Sequence, residues 1–148
     1  MNAYFSTVYQ IVFSTKYRQM TLTKPNRELL FKDICGILKH KKCFPYQIGG
    51  VEDHLHIVCS VHPSVAVSDL VKDVKLGASA YIREERLFPK FNGWQRGYAA
   101  FTYSKEALPN LIRYVMNQEK HHRKKSSLRE VVDLLEENTV EYDPSYVD

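Results

Sequence analysis

The chain does without most of the features that would assign it quickly. Its 148 residues hold only three cysteines, Cys35, Cys43 and Cys59, with no C-x-x-C pair. Neither a disulfide framework nor a zinc ribbon is encoded, and a reducing compartment is the simplest setting. No apolar run approaches the roughly 20 residues that a membrane span needs, and no basic stretch with an apolar core precedes the first strand. A cytoplasmic protein with no membrane partner is expected. The absence of a G-x-x-x-x-G-K-[ST] loop removes the phosphate cradle of nucleotide hydrolases and predicts no nucleotide cofactor. Glycine and proline number six each, and no linker, repeat or low-complexity segment interrupts the chain, so one domain over residues 1–148 is expected.

What is present is core material and an uneven charge. Apolar residues make up 44% and charged residues 26%, a globular balance, and the formal net charge is +4. The cations cluster at Lys39–Lys42 and again from Lys120 to Lys125, the second cluster including His121, His122, Arg123 and Lys124. Such clusters either face phosphates or cap helix ends, where cations complement the macrodipole.

Periodicity places the elements. Tyr4 to Ser14 is β-branched and aromatic, with Phe5, Tyr9, Ile11 and Phe13 on one parity and Val8 and Val12 on the other, and predicts a buried strand. A helix is expected from Thr23 and Pro25 to about Lys41, a second strand over Phe44–Val51, a third over about 54–61, a helix over Val67–Glu85, and a fourth strand over Gly97–Tyr103. A helix over about 105–125 and a C-terminal helix over about 127–137 follow, then an irregular acidic tail. The loop from Phe88 to Arg96 carries the only tryptophan, Trp94, which either packs or stacks a base. Strand, helix, strand, strand, helix, strand is the split βαβ order of an α+β, ferredoxin-like fold: an antiparallel sheet with two helices on one face.

The third strand, V-E-D-H-L-H-I-V-C-S-V, is where chemistry concentrates. Alternation puts His54, His56, Val58 and Ser60 on one face and Leu55, Ile57, Cys59 and Val61 on the other. If the apolar set lies under the two helices, the imidazoles point to the open face. Two histidines at i and i+2 either chelate one metal or are polar residues on a half-buried strand. On the late helix, Tyr114 and Gln118 stand four residues apart and share a face with His121 and Lys125, beside an apolar stripe of Leu108, Leu111, Ile112 and Val115. If the Gln118 oxygen joins His54 and His56 on one divalent ion, open positions remain for a phosphate one turn from Tyr114. His121 and His122 are either competing ligands or polar, DNA-facing residues.

Ser14-Thr15-Lys16-Tyr17-Arg18, Asp53-His54-Leu55-His56, Trp94 with Gly97-Tyr98, and the run from Tyr114 to His122 occur in the order found in one group. Together they resemble the small insertion-sequence transposases of the single-tyrosine HUH superfamily, which includes the repeat-associated tyrosine transposases. The resemblance spans nearly the whole chain. It implies Tyr114 as nucleophile, and His54, His56 and Gln118 as ligands of Mg²⁺ or Mn²⁺. It also implies single-stranded DNA with hairpin ends as partner, cleavage through a 5′-phosphotyrosine intermediate, and a homodimer joined sheet edge to edge. Lys16, Arg18, Lys72 and Lys75 are the cations expected to bind phosphates.

Rival H-x-H enzymes fail on residues. A histidine-triad hydrolase needs histidine where Val58 stands, and a two-histidine phosphoesterase needs a second H-x-[ST] motif that is absent. The other class retained is a ferredoxin-like module that binds single-stranded nucleic acid without cutting it, as a domesticated or inactive relative would.

Overall fold

The computed structural model describes residues 3–122 and 125–146. Its strands are β1 (Tyr9–Ser14), β2 (Phe44–Gly50), β3 (His54–Ser60) and β4 (Ala99–Thr102). They form an antiparallel sheet in the order β2-β3-β1-β4, as the split βαβ reading requires. The helices are α1 (Lys24–His40), α2 (Val67–Glu85), α3 (Leu108–Met116), the short α4 (Gln118–His121) and α5 (Ser127–Glu137). β1 and β4 are shorter than their sequence patterns suggest, because Tyr4 and Phe5 lie exposed outside the ladder and β4 pairs with β1 over four positions only.

One face of the sheet carries the larger core. Leu30, Ile34 and Leu38 of α1 and Leu70, Val74, Ala78 and Ile82 of α2 pack on Ile11, Phe13, Leu55, Ile57 and Cys59. Each leucine, isoleucine, valine or phenylalanine among them contributes about 1.5–3 kcal/mol by leaving water. Trp94 joins this core, edge-on to Phe13 and Phe91, with its Nε1 donating to the Lys75 carbonyl at 3.2 Å. Of the two roles open to it, packing is the one observed.

The opposite face, which the sequence leaves open, is covered. Leu108, Leu111 and Val115 of α3 pack on Val8 and Val58, while Leu134 and Leu135 of α5 pack on Val12 and Phe101. Glycine is required where α3 crosses the sheet, since a Cβ on Gly49 would lie 2.3 Å from the Val115 carbonyl oxygen. The helix thereby sits directly over β2 and β3.

The helix expected over 105–125 is not continuous. A 3₁₀ turn at Lys105–Ala107 precedes α3, and the chain leaves helical geometry at Asn117 (φ −98°, ψ 23°) before α4 begins. Asparagine is a weak helix former, and Glu119 just beyond it is drawn to Lys24 and Arg27, at 3.2 and 2.8 Å. Arg123 and Lys124, part of the second basic cluster, lie outside the described residues.

Candidate functional site

In the β1–β3 ladder Ser14 stands opposite His54, Val12 opposite His56 and Gln10 opposite Val58, so Gln10 shares the face of the two histidines. Both imidazoles are 0% exposed. His54 Nδ1 donates to Asp53 Oδ1 at 2.8 Å, and His56 Nδ1 donates to Gln10 Oε1 at 2.7 Å. The Gln10 amide is oriented by its Nε2, which donates to the Tyr103 hydroxyl at 2.7 Å. With both Nδ1 atoms tied back, both Nε2 atoms face the layer of α3 and α5. This is the arrangement by which metal-ligating histidines have their tautomer fixed.

What they face is Glu130, from the first turn of α5. Its Oε1 lies 2.9 Å from Nε2 of His54, of His56 and of His122. Its Oε2 accepts hydrogen bonds from the Tyr114 hydroxyl and, at 3.1 Å, from Gln118 Nε2. The Gln118 amide is thus turned with its oxygen toward the imidazoles, 3.3 Å from His54 Nε2 and 3.1 Å from His122 Nε2. Gln118 is brought there by the bend at Asn117 and by buried Arg27, which holds Glu119 and donates to the Leu22 carbonyl. α5 is fixed at its start by Ser126, whose hydroxyl accepts from Arg129 N at 3.2 Å, and by Ser127, whose hydroxyl donates to Asp53 Oδ2 at 2.7 Å.

The electrostatics follow from burial opposed by hydrogen bonds. For Glu130, burial would raise the pKa, but hydrogen bonds from His122, His54 and His56 hold the carboxyl far below the usual range. His56 is lowered to about 4, mainly by burial. Burial also acts against charge on His54, but its bonds to Asp53 and Glu130 raise it overall. Tyr114 is pushed well above its ordinary value by burial and by the Glu130 carboxylate beside it. Without a further cation, Tyr114 is a protonated phenol.

Of the residues singled out from sequence, His54, His56, Gln118 and Tyr114 converge in one place and within one chain. The Tyr114 ring lies edge-on to the His56 ring at 5.7 Å between centroids. His122 is turned into the cluster, its ring 4.6 Å from that of His54, whereas His121 is exposed and stacks obliquely on Tyr114. The four candidate DNA cations are not brought together at the site. Lys16 is exposed, 5.5 Å from the Tyr17 ring. Arg18 donates to the Ser14 and Ser127 hydroxyls, bracing α5. Lys72 and Lys75 lie on α2, across the sheet from the histidines, with Lys72 exposed. Lys75 donates to the Gln95 and Gly97 carbonyls. Sequence reasoning missed Glu130, Gln10 and Arg27. The available signal for Glu130 was a carboxylate on the i, i+3, i+7 stripe of Ser127, Glu130 and Leu134, which is the buried face of α5.

The donor set fits a divalent cation. The Nε2 atoms of His54 and His56, the Gln118 oxygen and a carboxylate oxygen converge on one point. Ligands at right angles around an ion with bonds of about 2.1 Å stand about 3 Å apart, and the separations here are 2.9–3.3 Å. His54, His122 and Glu130 also place one ligand atom each within 4.8 Å of one another. A groove of about 270 Å³ between α3 and α5, lined by Gln10, Tyr103, Asn110, Tyr114, Lys125 and Glu130 among others, ends at this cluster.

Comparison with known proteins bears on the family and the fold. The family model for IS200-like transposases matches residues 3–118. No curated protein matches the chain. Among solved structures, a protein from Deinococcus radiodurans R1 assigned as a transposase superposes with a TM-score of 0.58 at 21% identity, covering 80% of this chain and 95% of that one. A REP-associated tyrosine transposase bound to a REP hairpin superposes with a TM-score of 0.59 at 11% identity, covering 82% of this chain and 74% of that one. At these identities the two structures speak for the fold.

Proposed function

The chain belongs to the IS200-like transposase family, and from that premise we propose that it cuts and rejoins single-stranded DNA at hairpin-bearing ends through a 5′-phosphotyrosine intermediate. The observation that carries this reading is the meeting of Tyr114 with His54, His56 and Gln118 around one point, the Tyr114 hydroxyl bonded to Glu130 and Glu130 to both histidines.

His54, His56 and Gln118 would hold a divalent cation, Mg²⁺ or Mn²⁺, with Asp53 and Gln10 orienting the imidazoles from behind. Bound there, the cation would polarise a phosphodiester and favour the phenolate of Tyr114 over the phenol. The chain supplies position and exclusion of water. Glu130 aims the phenolic oxygen, α3 carries it over the sheet, and burial keeps solvent from competing as nucleophile. In the step itself the phenolic oxygen bonds to phosphorus and the bond from phosphorus to the upstream 3′ oxygen breaks. One proton leaves tyrosine and one is taken by the departing 3′ oxygen, so the products are a tyrosyl ester of the downstream strand and a free 3′ hydroxyl. Rejoining is the reverse attack by a 3′ hydroxyl, and no nucleotide is consumed.

The relative that is bound to a REP hairpin supports a hairpin substrate. Lys16, beside exposed Tyr17, and Lys72 are the proposed phosphate contacts, while Arg18 and Lys75 act through the segments they brace. The proposed homodimer joins edge strands β2 or β4. Within one chain the Tyr114 ring lies edge-on to His56. Among the described residues no helix is long and apolar enough to cross a membrane.

A second reading, a nucleic-acid-binding relative that no longer cuts, is favoured by the complete burial of His54 and His56. One experiment separates the two. Hairpin oligonucleotides labelled at the 5′ or 3′ end are incubated with Mg²⁺ or Mn²⁺ and run on a denaturing gel with wild type, Tyr114→Phe and His56→Ala. The expected result is a metal-dependent adduct that keeps only the DNA 3′ of the cut and is absent from both variants. Tight binding with no adduct from wild type would establish the second reading.

A further inference from the structure

The three ligands carried by the sequence motif leave two inward-facing donors unexplained. Glu130 Oε1 is 2.9 Å from Nε2 of His54, His56 and His122 alike, and His122 Nε2 is 3.1 Å from Gln118 Oε1. Glu130 is 3% exposed, and a carboxylate is not buried without partners of opposite charge or a metal. His56 is held from behind by Gln10 at Nδ1, and its Nε2 stands at the same 2.9 Å from the Glu130 oxygen as Nε2 of His54 and of His122, the separation of ligands that share one ion. Gln118 is held with its oxygen, not its nitrogen, on the imidazole side, because its Nε2 is engaged by Glu130 Oε2. The inner surface thus turns the Gln118 oxygen, one Glu130 oxygen and three imidazole Nε2 atoms toward one point. Both extra donors also lie beyond residue 118, where the family match ends.

We propose that Glu130 and His122 ligate the same divalent cation as His54, His56 and Gln118, making a five-donor site that fastens the C-terminal helix to the sheet through the metal. The inference deepens the metal reading given above and rests on it. A carboxylate donor supplies the hard oxygen that Mg²⁺ and Mn²⁺ favour and that an imidazole pair does not. The second oxygen of the same carboxylate keeps the Tyr114 hydroxyl beside the ion. Glu130 is thus a metal ligand and, for tyrosine, a positioning residue.

The test is titration of the metal-free full chain with MnCl₂ by calorimetry, with pulsed electron paramagnetic resonance of the bound Mn²⁺ counting coordinated imidazoles. Wild type, Glu130→Gln, His122→Ala and His56→Ala are compared, the glutamine variant preserving the size of the buried side chain. Thermal melting with and without Mn²⁺ verifies folding and reads the fastening of α5. The expected result is Mn²⁺ affinity at least tenfold weaker in Glu130→Gln and in His122→Ala, three coordinated imidazoles in wild type and two in His122→Ala, and a smaller metal-induced rise in melting temperature in both. Affinity unchanged or tightened in Glu130→Gln would overturn the proposal, since the carboxylate would then occupy the position of the ion instead of binding it. No Mn²⁺ binding by folded wild type would overturn the metal reading itself, a different failure with a different signature.

Discussion

Arg27 shows how much of the site is decided by side chains that never touch it. It is 3% exposed and reaches Glu119, Glu52 and the Leu22 carbonyl, so it fixes the residue next to Gln118. Arg27→Met is expected to destabilise by about 1.5–3 kcal/mol, the value of hydrogen bonds to a charged group, seen as a lower urea midpoint. The cysteines give an independent reading of burial. Burial pushes the Cys59 thiol up to about 12, and Cys43 is also buried, whereas Cys35 is half-buried. A thiol reagent at neutral pH is expected to modify Cys35 first and to reach Cys43 and Cys59 only on unfolding, as counted by mass spectrometry. At this scale the sequence was legible where spacing carried the signal: His54 and His56 by strand alternation, Tyr114 and Gln118 by helical spacing. Glu130 was not, because a glutamate in an R-E-V-V-D-L-L-E-E stretch reads as solvated unless the buried face of α5 is already known. Gln10 was hidden likewise, a polar residue whose place among apolar strand neighbours makes sense only once His56 stands beside it.

Among the elements, the ladder and the two helices behind it follow directly from hydrophobic period, and α2 and α5 begin and end where periodicity and the Ser126 cap place them. The tyrosine helix does not, since an apolar stripe ending at Val115 carries no mark of a bend at Asn117 that ion pairs from α1 help to set. The crossing of α3 over β2 is controlled by Gly49. Gly49→Ala is expected to lift α3, costing about 1–3 kcal/mol as overpacking does and lowering adduct yield together with metal affinity. Chemical denaturation and the trapping assay would report both. A stability loss with an unaltered adduct would mean that the helix carries Tyr114 back to the same place by another route.

For the molecule as a whole, the proposed phosphate contacts of Lys16 and Lys72 predict that hairpin binding weakens with salt, through release of counterions from the strand, about one per contact. A logarithmic plot of affinity against KCl is expected to be linear, with a shallower slope in Lys16→Ala. Sedimentation across a concentration series, with and without hairpin, would show whether edge strands pair two copies. Beneath α5, His54 and His56 have no exposed surface, and that fact sets a timetable as well as a shape. In the proposed reaction a phosphodiester would reach an ion held by those nitrogens only through the groove between α3 and α5, so the approach to cleavage would have two clocks: collision, which quickens with DNA concentration, and widening of the groove around Glu130, which does not. Rapid-mixing traces at rising oligonucleotide concentration should level off at a rate belonging to the protein alone, and a lag should precede the first covalent product.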